Sequence, residues 1–149
     1  DGKLKMAEQF GATDLVNAGD ADPTAKVMEL TGGRGADVAF EVIGLKATID
    51  QTVAMTRRGG EAILVGVPKM EVLLEVPAFF SVVFWSKTIK GCWYGSSNVQ
   101  QDVPKLIGWY REGKLKLDEL ISRRIELDEV NDAFRAMEAG EVARSVITY

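Results

Sequence analysis

Two apolar runs that end in glycine carry the residues best placed to meet a ligand: Val38-Ala39-Phe40-Glu41-Val42-Ile43-Gly44 and Ala62-Ile63-Leu64-Val65-Gly66-Val67-Pro68. Each reads as a buried strand, and a glycine at its exit lets backbone approach a bound group with no Cβ in the way. In open α/β sheets ligands bind beyond the carboxyl ends of parallel strands. The pattern points to a nucleotide-like ligand. For bond-making chemistry the chain is poorly equipped. It has no histidine and a single cysteine, Cys92, whereas a catalytic zinc usually takes three protein ligands from Cys, His and carboxylate. Cys92 reads as a small buried hydrophobe without a catalytic or metal role. Asp118, Glu119, Glu126, Asp128 and Glu129 read as helix caps and solvated faces and form no convincing general acid pair. No nucleophile motif and no complete Gly-rich phosphate loop is present.

Composition sets the frame for these residues. At 149 residues, 46% hydrophobic and 27% charged, the chain is long enough for a core and reads as globular. A net charge of -4 argues against a general nucleic-acid binder, which needs clustered Lys and Arg. One cysteine excludes an intrachain disulfide framework and fits a reducing compartment. Charges interrupt every apolar stretch before it reaches membrane-spanning length, and no signal peptide is visible. The expectation is a soluble, cytoplasmic protein.

The elements that must position the two glycines alternate in type. Leu4, Ala7 and Phe10 lie on one side of a short helix stopped by Gly11. A strand is expected at 14–17. Asp22 and Pro23 then start a helix over 24–30 that turns Val27, Met28 and Leu30 inward. Strand 38–43, helix 45–57 and strand 61–67 follow, with Ile49, Thr52, Val53 and Thr56 on the helix's buried face and Arg57-Arg58-Gly59-Gly60 ending it. Such alternation implies a parallel sheet covered by helices. An edge strand at 72–76, a short aromatic helix near Phe79–Trp85 and a strand through 87–95 are expected next. After a loop at 95–98 come a helix over 99–112 with Val103, Leu106, Ile107 and Tyr110 on one face, a second helix over 127–139, and a closing strand at 145–149. The one boundary that suggests itself lies near Gly95. Because the chain opens on a helix with no strand before it, a fragment of a longer protein is the expectation.

Taken in order, Lys3-Leu4, Phe10-Gly11-Ala12-Thr13, Phe40-Glu41-Val42-Ile43-Gly44, Val65-Gly66-Val67-Pro68, Lys90-Gly91, Tyr94-Gly95 and Arg144 resemble the C-terminal part of a zinc-type medium-chain alcohol dehydrogenase. The likeness runs over essentially the whole chain. It implies an α/β fold: a partial Rossmann-type doubly wound parallel sheet lacking its first strand and Gly-rich turn, plus the C-terminal segment of the catalytic domain. The implied domains are 1–94, a partial dinucleotide-binding coenzyme domain, and 95–149, that catalytic-domain segment. The acidic residue that holds the adenosine ribose in the family would lie upstream, so Asp1 is not cast as it.

The resemblance also implies roles. Lys3 matches a lysine that contacts the adenosine ribose, and Val42, Ile43 and Gly44 match the strand end beside the adenosine. Leu45 departs from relatives that carry an arginine there. Val65, Gly66 and Val67 match the strand end along the nicotinamide, whose carboxamide would meet backbone of Cys92 and Tyr94. Trp93 matches a substrate-pocket position, and Arg144 matches an arginine that pairs with the pyrophosphate. The implied parent enzyme passes a hydride between an alcohol or aldehyde and NAD, with NADP possible and with zinc held by upstream ligands; this chain alone would be inactive. A homodimer is implied through the edge strand near Met70–Val76. The competing readings are a zinc-free, quinone-type or other reductase of the same superfamily, and a non-catalytic dinucleotide-binding or dimerisation module.

Overall fold

A computed structural model describes residues 2–149. The chain forms two compact units, Asp14–Ser97 and, separately, the N-terminal residues through Thr13 together with Asn98–Tyr149. Asp1 lies outside the described residues.

In the Asp14–Ser97 unit, helix α2 spans Pro23–Leu30, and the Asp22 side chain caps it by accepting from the Thr24 amide at 3.0 Å. Strand β1 (Ala36–Glu41), helix α3 (Lys46–Met55) and strand β2 (Thr56–Leu64) follow, and β3 (Thr88–Gly91) completes a parallel sheet in the order β1-β2-β3. The expected face of α3 is the buried one: Ile49, Thr52 and Val53 lie under the sheet, and Thr56, the next residue on that face, is 1% exposed. Along β1 the pleat sends Ala39 and Glu41 inward while Val38 and Phe40 stay exposed, as the period of two requires.

Several expectations need correction here. Residues 14–17 belong to no strand of the described sheets. Leu30 is exposed rather than inward, being at the end of a two-turn helix. Arg57-Arg58-Gly59-Gly60 does not sit between helix and strand. It belongs to β2, where the register jumps from Ala36↔Thr56 to Val38↔Glu61 and the four residues bulge out. Gly59 takes a φ of +66° there, and a Cβ on Gly60 would come within 2.8 Å of the Asp37 carbonyl oxygen. The bulge is held outside the ladder by Arg57 Nε on the Asp37 carboxylate and by the Gly59 amide, which donates to Trp85 O at 2.8 Å. Both site strands end earlier than expected, at Glu41 and Leu64. Residues 72–76 form no strand either: an edge needs a neighbour for its ladder, and none of the described residues supplies one. The aromatic segment is a π-helical turn, Ala78–Phe84, whose Phe79, Phe80 and Phe84 rings lie 5.1–6.4 Å apart and remain largely exposed.

Lys87 is buried at the entrance to β3. Its ammonium donates to the Val53 carbonyl at 2.6 Å, at the C-terminal end of α3, and lies 4.7 Å from the centre of the Trp85 ring. Burial lowers its pKa from the ordinary lysine value, while the helix C-terminus is where a cation is welcome. Replacing Lys87 with Met keeps the apolar stem and strands the Val53 carbonyl, so a loss of about 1–3 kcal/mol is expected for a buried acceptor left unpaired; urea unfolding of K87M checks it.

In the other unit, α1 (Gly2–Gln9) ends at Gly11, which adopts φ +99°. Helix α4 spans Val99–Arg111, and its Val103, Leu106, Ile107 and Tyr110 are exposed within the described residues. Strands β4 (Arg123–Ile125) and β5 (Ser145–Ile147) pair in parallel, connected through a 3-10 turn at Leu127–Glu129 and helix α5 (Val130–Glu138). The Glu126/Glu129 capping box starts that turn. Ile125 and Ala133 form the buried core of the pair.

Candidate functional site

The three parallel strands end at one level. Glu41 is in register with Leu64, and Leu64 with Gly91, so the residues that leave the sheet form one mouth: 42–44, 65–67 and 92–94. Nine of the expected site residues are therefore gathered by the register of a parallel sheet. The Cys92 amide donates to Leu64 O at 2.9 Å and extends the ladder by one step.

Beyond that level lies a cavity of about 400 Å³ lined by Leu64, Val65, Gly66, Val67, Pro68, Gly91, Cys92, Trp93 and Ser96. A second, of about 260 Å³, shares Val65, Val67, Cys92 and Trp93 and adds Tyr94 and Gly95. Trp93 and Tyr94 meet edge to face, with ring centres 5.2 Å apart. Both rings are largely exposed at the rim. The mouth is mostly apolar in its side chains, with the Ser96 and Tyr94 hydroxyl groups and the backbone as its polar elements, which is how small-molecule sites combine contact area with orientation.

The two glycines come together. A Cβ on Gly66 would stand 2.3 Å from the Gly44 nitrogen and 2.5 Å from Glu41 Oε2, and a Cβ on Gly44, which adopts φ +89°, would stand 2.6 Å from the Val67 carbonyl oxygen. Close approach of two turns, rather than a sharp bend alone, is thus what demands glycine at both positions.

Between them sits a residue to which sequence reasoning gave no role. Glu41 is 2% exposed. Its Oε1 accepts from the Ile43 amide at 2.8 Å, the Gly44 amide at 2.8 Å and the Thr48 hydroxyl at 2.7 Å. Its main-chain oxygen accepts from the amides of Val65 at 2.8 Å and Gly66 at 3.0 Å. Oε2 has no hydrogen-bond partner and faces the bare Cα of Gly66. Desolvation pushes the Glu41 carboxyl up, but the bonds from Thr48, Gly44 and Ile43 outweigh it and hold the pKa below the ordinary glutamate value. The group stays ionised without a cation. It lies beside the first turn of α3, whose Thr48 hydroxyl it accepts from, an end of a helix where an anion is favoured. One signal was legible: a lone acid inside an apolar strand, seven residues before a threonine.

A second signal was not. Tyr94, Gly95 and Ser96 carry φ values of +47°, +71° and +50°, three successive left-handed residues at the rim. Two of them pay a steric cost that glycine avoids, a feature that clusters at functional sites.

Lys3 and Arg144 belong to the other unit. Exposed Lys3 lines a cavity of about 610 Å³ together with Glu119, Ser122, Gly140 and Glu141. Arg144 is exposed, and its backbone is tied to Ser122, whose amide donates to Arg144 O at 2.9 Å. No carboxylate among the described residues pairs with its guanidinium, which lines an apolar cavity of about 180 Å³ over Ile125, Phe134 and Met137. Among the described residues no three of His, Cys, Asp and Glu come together as a metal centre. No helix among them is long and apolar enough to cross a membrane.

Comparison with known proteins matches residues 1–112 to the family model described as zinc-binding dehydrogenase. S-(hydroxymethyl)glutathione dehydrogenase of Paracoccus denitrificans is 31% identical over 100% of this chain and 41% of its own length. Among solved structures, benzyl alcohol dehydrogenase from Acinetobacter calcoaceticus superposes with a TM-score of 0.90 at 28% identity, covering 98% of this chain and 40% of that one. The alcohol dehydrogenase of Aeropyrum pernix gives 0.86 at 34% identity, covering 99% and 40%. The chain spans about 40% of the length of these relatives.

Proposed function

This chain belongs to the zinc-binding dehydrogenase family, and on that footing we propose that the protein it forms part of oxidises an alcohol, or reduces an aldehyde, by hydride exchange with NAD. The observation that carries the reading is the mouth formed by residues 42–44, 65–67 and 92–94 at the common carboxyl-end level of three parallel strands, with a cavity beyond it and its first two turns brought together at Gly44 and Gly66. That is the place and the kind of surface a dinucleotide requires. When bound, the nicotinamide supplies the hydride acceptor; the protein supplies binding, orientation and electrostatics.

In this reading residues 1–94 are the coenzyme-domain part and 95–149 the segment of the catalytic domain. Val42, Ile43 and Gly44 lie along the adenosine and Lys3 reaches its ribose. Val65, Gly66 and Val67 lie along the nicotinamide, and backbone at Cys92 and Tyr94 fixes the carboxamide and with it the ring face. Trp93 narrows the substrate pocket from the rim. Arg144, which pairs with no carboxylate among the described residues, meets the pyrophosphate through two charge-assisted hydrogen bonds. Zinc, which would polarise the substrate oxygen, takes its ligands from elsewhere in the parent. The parent is cytoplasmic. A homodimer through Met70–Val76 is supported by the exposure of Met70, Leu73 and Leu74 and of the neighbouring Phe79, Phe80 and Val83, an apolar patch that a partner would cover.

The test is NADH formation by the full-length gene product with a panel of primary alcohols. Turnover that disappears in R144A through a raised KM for NAD supports the reading, whereas turnover only with quinones and NADPH would replace it with the reductase alternative. This chain by itself is expected to show none.

A further inference from the structure

We infer that Glu41 is the positioning residue that aligns the two halves of the cofactor mouth; the inference rests on the dinucleotide reading above. The turn after β1 hangs from Oε1 through the Ile43 and Gly44 amides, and the turn after β2 hangs from the main-chain oxygen of the same residue through the Val65 and Gly66 amides. Oε2 then fills the gap between them, against Gly66. Thr48, from the first turn of α3, fixes the rotamer of the carboxylate through its hydroxyl. One residue thereby sets the separation of the two turns, and a dinucleotide that lies along both reads that separation.

The geometry separates the two oxygens by function. In Glu41→Gln the amide oxygen takes the Oε1 place, because three donors converge there, and the amide nitrogen with its two hydrogens takes the Oε2 place against Gly66. The adenosine-side turn keeps its anchor while the nicotinamide-side turn is pushed off. In Glu41→Ala the turn after β1 loses its anchor, while the turn after β2 keeps its bonds to the main-chain oxygen of residue 41 and loses the carboxylate packed against Gly66.

The experiment measures binding of NADH by fluorescence, and of AMP by competition, to the full-length gene product. E41Q is expected to weaken NADH at least tenfold and AMP less than threefold. E41A should weaken both, and Thr48→Val should fall between wild type and E41Q, with Thr48→Ser restoring wild-type binding. Thermal melting of each variant and amide exchange at Ile43 and Gly44 are followed alongside. If E41Q weakens NADH and AMP by one common factor, or neither, the alignment role is overturned, since a merely stabilising residue moves both ligands alike. Should E41A fail to fold, E41Q and T48V carry the comparison. Wild-type protein that binds neither NADH nor AMP overturns the dinucleotide reading, and this inference with it.

Discussion

Substituting Gly66 with alanine is expected to destabilise the Asp14–Ser97 unit by about 2–4 kcal/mol, in the range of overpacking without room to relax, and to abolish cofactor binding by the full-length protein. The added Cβ would meet the Gly44 nitrogen at 2.3 Å, Glu41 Oε2 at 2.5 Å and the Ile43 carbonyl carbon at 2.7 Å. Two of those three are backbone, and the third belongs to a carboxylate pinned by three hydrogen bonds, so nothing flexible is available to yield. The turn after β2 must then move away from the turn after β1. Gly91 is the control at the same level of the sheet: nothing lies within 4 Å of a Cβ built there, so G91A should keep nearly wild-type stability. Urea unfolding of the two variants makes the comparison, and equal stability of G66A and G91A would sink the account of the close approach.

Glu41 also predicts an acid limb to stability. Its folded pKa lies below the ordinary glutamate value, so the unfolded chain binds the proton first as pH falls. Stability contributed by the ionised group is therefore complete above the unfolded glutamate pKa and is lost as pH drops through the folded one. Glu41→Ala removes the ionisable group and leaves the Ile43 and Gly44 amides short of an acceptor, at a cost of about 1–3 kcal/mol for a buried donor left unpaired. Measured from pH 7 down to acid, E41A should start lower and lose less than wild type. Parallel pH curves for the two proteins would assign the acid limb elsewhere, for instance to Asp37, whose pKa is also lowered, chiefly by its hydrogen bond from Arg57.

The same residues show what was legible in the chain. The α3 face of Ile49, Thr52, Val53 and Thr56 could be read directly, because a helical period writes its buried side into the order of residue types. The Asp22-Pro23 start and the Gly11 stop were legible for a similar reason: capping and left-handed turns depend on the residue that makes them. Gly44 and Gly66 stood out as site glycines on the same ground. Strand ends were read two or three residues too long, since Val42, Ile43, Val65 and Val67 have strand-like side chains and only the ladder says where pairing stops. The expected strand at 72–76 failed for the complementary reason, strand propensity being no substitute for a ladder.

By itself, then, the sequence determined the alternation of helices and parallel strands and the two glycine exits, because these rest on local propensity and periodicity, while the order of its motifs carried the resemblance to the family. Tertiary structure decided that the exits lie at one level and in contact, and that Glu41 ties them. Register and the approach of turns some twenty residues apart in sequence arise from how β1, α3 and β2 pack, and no local property of residues 41, 44 and 66 contains that distance.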